Sequence, residues 1–293
     1  MHGWGFNFAR LPLDYRCWIK GDDWNAIAET ELEKLDEAIR LGQKYGIHVQ
    51  LCFHRAPGFC INPPAEPKDL FHDAEAFDVC AKHWRTLARR YRAVPNKDLS
   101  FDLFNEPSWR ESKARTNIVR VVKGLYAAIK AEDPERMVVA DGYYCGKDPI
   151  AELGDMPDLV QSIHAYEPPQ ISHFRAEWRA ERDLKTVEWP PKGVADGVGY
   201  LRKTYYGDWF RLREKGVFLY VGETGVYKNC PHDVTLRFME DKLRLWKAEN
   251  LGWCLWNLRG TFGIVDSGRA DVDYEDFDGH KLDRKFLELL RRY

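Results

Sequence analysis

A chain of 293 residues, 44% of them hydrophobic, has enough apolar material for one large α/β domain or two small ones, which excludes a disordered chain. Its formal net charge of −2 offers no basic footprint for nucleic acid or an anionic membrane, and its apolar stretches are far too short to span a bilayer. The seven cysteines are an odd number without CxxC spacing, so neither a disulfide framework nor a zinc site is expected.

Short, mostly continuous apolar runs alternate with amphipathic stretches along the chain. The first run, 5–10, ends in Arg10 and starts almost at Met1, so no signal peptide is expected within this chain. Thr30 and Glu33 are placed as a capping box for a helix marked by Leu32, Leu35, Ile39 and Gly42. The run 47–53 leads to His54, and Phe77, Trp84, Leu87 and Tyr91 mark the next helix. The run 99–104 closes on Asn105-Glu106-Pro107, ahead of a helix carrying Ile118, Val121, Val122, Leu125 and Ile129. Runs 137–140 and 159–164 follow, the second ending in His164. An irregular stretch over 165–195, rich in Pro and Trp, is long enough to imply a functional loop. A helix over 199–215 precedes the run 217–222, which ends at Glu223; a helix over 233–249 precedes 252–256, which ends in Trp256; a last helix covers 281–292.

Continuous apolar runs suit parallel strands covered on both faces, and repeated strand–helix units indicate a parallel α/β fold. An open sheet gathers its site at one switch point, whereas a barrel gathers all its strand ends around one mouth. Arg10, His54, Asn105-Glu106, His164, Glu223 and Trp256 each close a different run, which points to a (β/α)8 TIM-type barrel over residues 1–293, a single catalytic domain. Seven strands are found where a closed barrel needs eight. Two glutamates at the ends of separate strands, Glu106 and Glu223, are the pair that double displacement at a glycosidic bond requires. One gives a proton to the leaving oxygen while the other attacks the sugar carbon. The eleven Trp and fourteen Tyr include rings that could stack on sugars, although most belong to the core.

Six motifs stand in order: Phe8-Ala9-Arg10-Leu11-Pro12; His54 with Pro57-Gly58; Asn105-Glu106-Pro107; His164-Ala165-Tyr166; Gly222-Glu223-Thr224-Gly225; and Trp253-Cys254-Leu255-Trp256-Asn257-Leu258, with Gly263-Ile264-Val265-Asp266-Ser267-Gly268 after it. Each alone is weak, but together they resemble glycoside hydrolase family 5, the cellulase-type family of (β/α)8 barrels, along nearly the whole chain. The resemblance implies that Glu106 is the general acid/base and Glu223 the nucleophile of a retaining reaction. It implies that Asn105 bonds the sugar 2-hydroxyl, that Arg10 and Tyr166 hold Glu223 ionised, and that His54 and His164 orient Glu106 and the sugar. Trp256 is then the stacking platform; Trp109, Trp178, Trp189 and Trp18 are lesser candidates whose ordinary role is packing or rim. No cofactor and no metal is implied.

The implied substrate is a β-linked glucan, with endo-β-1,4-glucanase the leading reading and mannanase or β-1,3/1,6-glucanase the alternatives within the family. The family's barrel begins with a strand and helix ahead of the arginine segment, so this chain is expected to lack its first β/α unit. That would leave two bare strand edges, which self-association is expected to cover. A weakly active or inactive carbohydrate-binding relative is the reading if the opening loosens the site. A metal-dependent hydrolase would need a His-x-His at a strand end or an HExxH, and the chain has neither. The compartment stays open, secreted if an upstream segment carried a signal and otherwise cytoplasmic.

Overall fold

The computed structural model describes residues 1–108 and 112–293, so Trp109 lies outside the described residues. The chain divides into two compact units, one of Met1–Ser162 with Leu212–Phe218, the other of Ile163–Arg211 with Leu219–Tyr293. All seven expected strands form: β1 (Phe8–Asp14), β2 (His48–Arg55), β3 (Leu99–Asp102), β4 (Val138–Asp141), β5 (Leu159–His164), β6 (Phe218–Thr224) and β7 (Trp253–Leu255). Their order in the sheet follows the chain, and the pairings are parallel. Two short antiparallel ribbons, Ile19–Lys20 with Asp23–Ile27 and Glu275–Phe277 with His280–Leu282, stand outside this sheet. Among the described residues no helix is long and apolar enough to cross a membrane.

In the first unit α1 (Glu33–Tyr45), α2 (Ala74–Tyr91) and α3 (Ser112–Glu132) follow the expected periodicity. Asp73 caps α2 by accepting from the Ala76 amide at 3.1 Å. Trp84, fully buried on α2, stacks on Phe53 of β2 at 4.0 Å and donates its Nε1 to the Leu103 carbonyl at 3.1 Å. That bond fixes the chain two residues before Asn105. Burial of each such ring stabilises by about 1.5–3 kcal/mol.

Two local expectations are corrected here. The capping box at Thr30 and Glu33 does not form, because a 3₁₀ turn over Glu29–Leu32 runs directly into α1 and leaves Thr30 inside helical backbone. The first strand is displaced along the chain: Gly5, at φ 88°, ends a 3₁₀ turn over His2–Trp4, and extended backbone starts only at Phe8. β1 then runs through Pro12, which has no N–H to give a ladder and is tolerated at a sheet end. Arg10 therefore stands in mid-strand opposite Gln50, not at a strand end. Along β1 and α1, Ala9, Leu11, Leu41, Tyr45, Ile47 and Val49 line an apolar groove of about 500 Å³.

In the second unit α5 (His232–Ala248) and α6 (Arg284–Arg291) are regular. The helix expected over 199–215 is interrupted: Gly197–Leu201 passes through a π-turn at Arg202–Tyr206 before α4 (Gly207–Arg213). The stretch 165–195 is only partly irregular. It holds a short helix at Pro169–Ser172 and a 3₁₀ turn at Ala180–Asp183, with Phe174 and Trp189 buried.

Candidate active site

Two groups of the expected residues assemble, one in each unit. In the first, Arg10 is the centre. Its Nε donates to Asp102 Oδ2 at 2.8 Å and its Nη2 to Asn105 Oδ1 at 2.9 Å, with Asp141 Oδ2 3.6 Å away. The Arg10 side chain is almost fully buried, and those of Asp102 and Asp141 completely so. Buried charges persist only when paired and hydrogen-bonded, and the arginine fork suits this pair of carboxylates. Asp141 Oδ2 also accepts from the Glu106 amide at 2.9 Å, while the Asn105 amide donates to the Phe53 carbonyl at 3.0 Å. The two amides of Asn105-Glu106 are thus tied to the backbone of β2 and to a side chain of β4. Glu106 adopts φ 54°, a left-handed conformation unusual for a residue with a Cβ. Its side chain is half-buried.

His54 lies one residue from the end of β2, and its Nε2 bonds to Asn62 Nδ2 at 3.2 Å. The loop carrying Asn62 is anchored by the buried Arg55–Glu66 ion pair, and Tyr15 donates its hydroxyl to Glu66 at 2.8 Å.

In the second unit Glu223 is 4% exposed near the end of β6. Tyr166 donates its hydroxyl to Glu223 Oε2 at 2.9 Å, and His164 Nδ1 lies 3.6 Å from the same oxygen. The backbone reinforces this contact, since the Ala165 amide donates to the Glu223 carbonyl at 2.7 Å. Thr224 adds a hydroxyl bond to the Ala165 carbonyl at 3.1 Å. Trp256 follows β7 and donates its amide to the Thr224 carbonyl at 2.6 Å. Gly225 permits that approach: a Cβ there would meet the Trp256 carbonyl oxygen at 2.2 Å.

Trp256 and Tyr166 pack against Ala176, Tyr227 and Phe262. Trp178 meets the edge of Tyr227 at 5.0 Å and is 61% exposed. Burial, helped by its bond to Glu177, pushes the Tyr227 hydroxyl up to about 12. Trp18 and Trp189 are buried and donate to His83 and Asp241, respectively, so they serve packing.

Four side chains that shape these groups carry no warning in the sequence analysis: Asp102, Asp141, Arg55 and Glu66. For the two aspartates a signal existed, a lone carboxylate at the end of an otherwise apolar run. Such a residue needs a buried cation, and Arg10 is that cation.

A model of the cellulase family, glycosyl hydrolase family 5, matches residues 1–261. Endoglucanase C of Acetivibrio thermocellus is 26% identical across 92% of this chain and 85% of its own. A crystal structure of a glycoside hydrolase is 36% identical with a TM-score of 0.92, covering 99% of this chain and 90% of that one. The endoglucanase Cel5A of Thermotoga maritima, at 19% identity and a TM-score of 0.79, covers 98% of this chain and 86% of its own, and has also been solved with mannotriose. The fold is accordingly of the (β/α)8 TIM-barrel type.

Proposed function

The chain belongs to glycosyl hydrolase family 5 and is a glycoside hydrolase, and from that premise we propose that it is a retaining endo-β-1,4-glucanase working by double displacement, with residues 1–293 acting as one catalytic domain. Glu223 is the nucleophile and Glu106 the acid/base. The observation that carries this reading is the Glu223 carboxylate, buried at a strand end with the Tyr166 hydroxyl on one oxygen. A hydroxyl donor there stabilises negative charge on the carboxylate, as a nucleophile requires.

In the first step the Glu223 oxygen bonds to the anomeric carbon as the C–O bond to the leaving group breaks, and Glu106 supplies the proton to that oxygen. In the second, Glu106 takes a proton from water, whose oxygen displaces Glu223 with overall retention. Asn105, its carbonyl fixed by Arg10, presents its amide to the sugar 2-hydroxyl. His54 and His164 orient the bound sugar, and Trp256 offers its ring face to it.

The test is glucan cleavage beside two variants. Glu223→Ala should lose activity on cello-oligosaccharides, with azide restoring turnover of an aryl cellobioside as the glycosyl azide of inverted configuration. Glu106→Gln should lose about 100-fold or more on the natural substrate but far less in the first step on an activated aryl glycoside, where no proton is needed. Glu223→Ala with parental activity would refute the assignment, and cleavage of mannan alone would replace the substrate. For assembly, the apolar groove along β1 and α1 supports a second copy of this chain as its cover.

A further inference from the structure

Lys242, on α5, has no exposed surface. Its Nζ donates to the Ala165 carbonyl and lies 4.0 Å from the Phe238 ring centre. Among the described residues no carboxylate forms an ion pair with it, and Glu167 acts only through its field. Burial drives its pKa well below the usual lysine value. A buried polar chain of this length is expensive, and an apolar side chain of similar volume would hold the helix at least as well. Fold stability therefore gives no reason for a lysine here.

The carbonyl that it grips gives one. Ala165 lies between His164 and Tyr166, whose side chains both approach Glu223 Oε2. Its amide already donates to the Glu223 backbone, and its carbonyl already accepts from Thr224 of β6. One donor leaves a peptide able to tilt, whereas a second from α5 fixes its plane.

We propose that Lys242 is a positioning residue: by pinning the Ala165 carbonyl it fixes His164 and Tyr166, and through them the line of attack of the Glu223 carboxylate. The inference rests on Glu223 being the nucleophile. Misplacement of a reacting group by about 1 Å costs on the order of a hundredfold in rate.

The experiment compares Lys242→Met, Lys242→Gln, Tyr166→Phe and the Lys242→Met/Tyr166→Phe double variant on an activated aryl cellobioside, with melting temperatures alongside. Lys242→Met should melt no lower than the parent, lose about tenfold in kcat and keep KM within about twofold, a loss confined to the reacting geometry. Lys242→Gln, which still offers an N–H, should recover part of that loss. In the Tyr166→Phe background Lys242→Met should cost less than about threefold, because residues acting through one another are not additive.

Parental kcat in Lys242→Met, or losses that multiply in the double variant, would overturn the proposal. Should Lys242→Met fail to fold, Thr224→Val reaches the same carbonyl from β6, and its cycle with Tyr166→Phe decides by the same criterion. The two readings fail separately. An active Glu223→Ala enzyme removes the nucleophile assignment, whereas an inactive, azide-rescued Glu223→Ala beside a parental Lys242→Met removes only the role of Lys242.

Discussion

Arg10 reaches Asp102, Asn105 and Asp141 from the middle of β1, and the charges concerned are almost wholly removed from water. Taking away one partner of such a set leaves uncompensated buried carboxylates. Arg10→Met should therefore destabilise by about 3–5 kcal/mol and also release the Asn105 carbonyl. Arg10→Lys keeps the charge but not the fork, so it should recover stability more than activity. Denaturant unfolding beside kcat/KM checks this, and a stable Arg10→Met enzyme would contradict it. Arg10 and Asn105 stood out in the sequence because each occurs in a short motif. Their partners did not, since Asp102 is 92 residues away and only the folded chain shows which cation faces it.

Elements were legible where one period dominated. Leu35, Ile39 and Gly42 line the buried side of α1 as their spacing implies, and β2 is an almost unbroken buried run. Boundaries were less legible, because they turn on single backbone angles: the left-handed Gly5 delays β1, and a π-turn divides the helix before β6.

Apart from the bond of Tyr166 to Glu223, which the resemblance implied, contacts between elements were not legible. His83 of α2, fully buried, accepts from Trp18 Nε1 on Nδ1 at 2.9 Å and donates from Nε2 to the Trp24 carbonyl at 2.7 Å. Protonating Nδ1 would set two N–H groups against each other. Burial holds the His83 pKa below its usual value, only partly opposed by the bond to Trp24, and it lowers His48 in the same way. The unfolded chain therefore binds protons that the folded chain refuses. Stability is fully present above about pH 6.5, the ordinary histidine value, and is lost as pH falls below it toward the lowered folded values. Melting temperature should drop from pH 7.5 to 5.0, in a range above most carboxylate titration. His83→Gln, which can accept from Trp18 and donate to Trp24 without titrating, should flatten part of that slope. An unchanged slope would remove His83 from the account.

For the molecule as a whole, the alternation of runs was enough to reach seven strands in chain order. The polar residues that close those runs in the sequence were enough to prefer a barrel, a fold type that the solved relatives bear out. What no periodicity could reveal is the groove beside β1, where Leu41 and Tyr45 remain 38% and 43% exposed. An apolar channel along an end strand favours association. Light scattering at micromolar concentration should find a dimer, and Leu41→Glu with Tyr45→Glu should return it to a monomer of unchanged melting temperature. A parental monomer would end that reading.

The left-handed backbone of Glu106 has one more consequence. Glycine takes φ 54° without steric penalty, whereas a residue with a Cβ pays on the order of 1 kcal/mol to stay there. On the assignment proposed above, exchanging this acid for glycine would cost the proton transfer while relieving that strain, so turnover and stability make opposite demands on this one position.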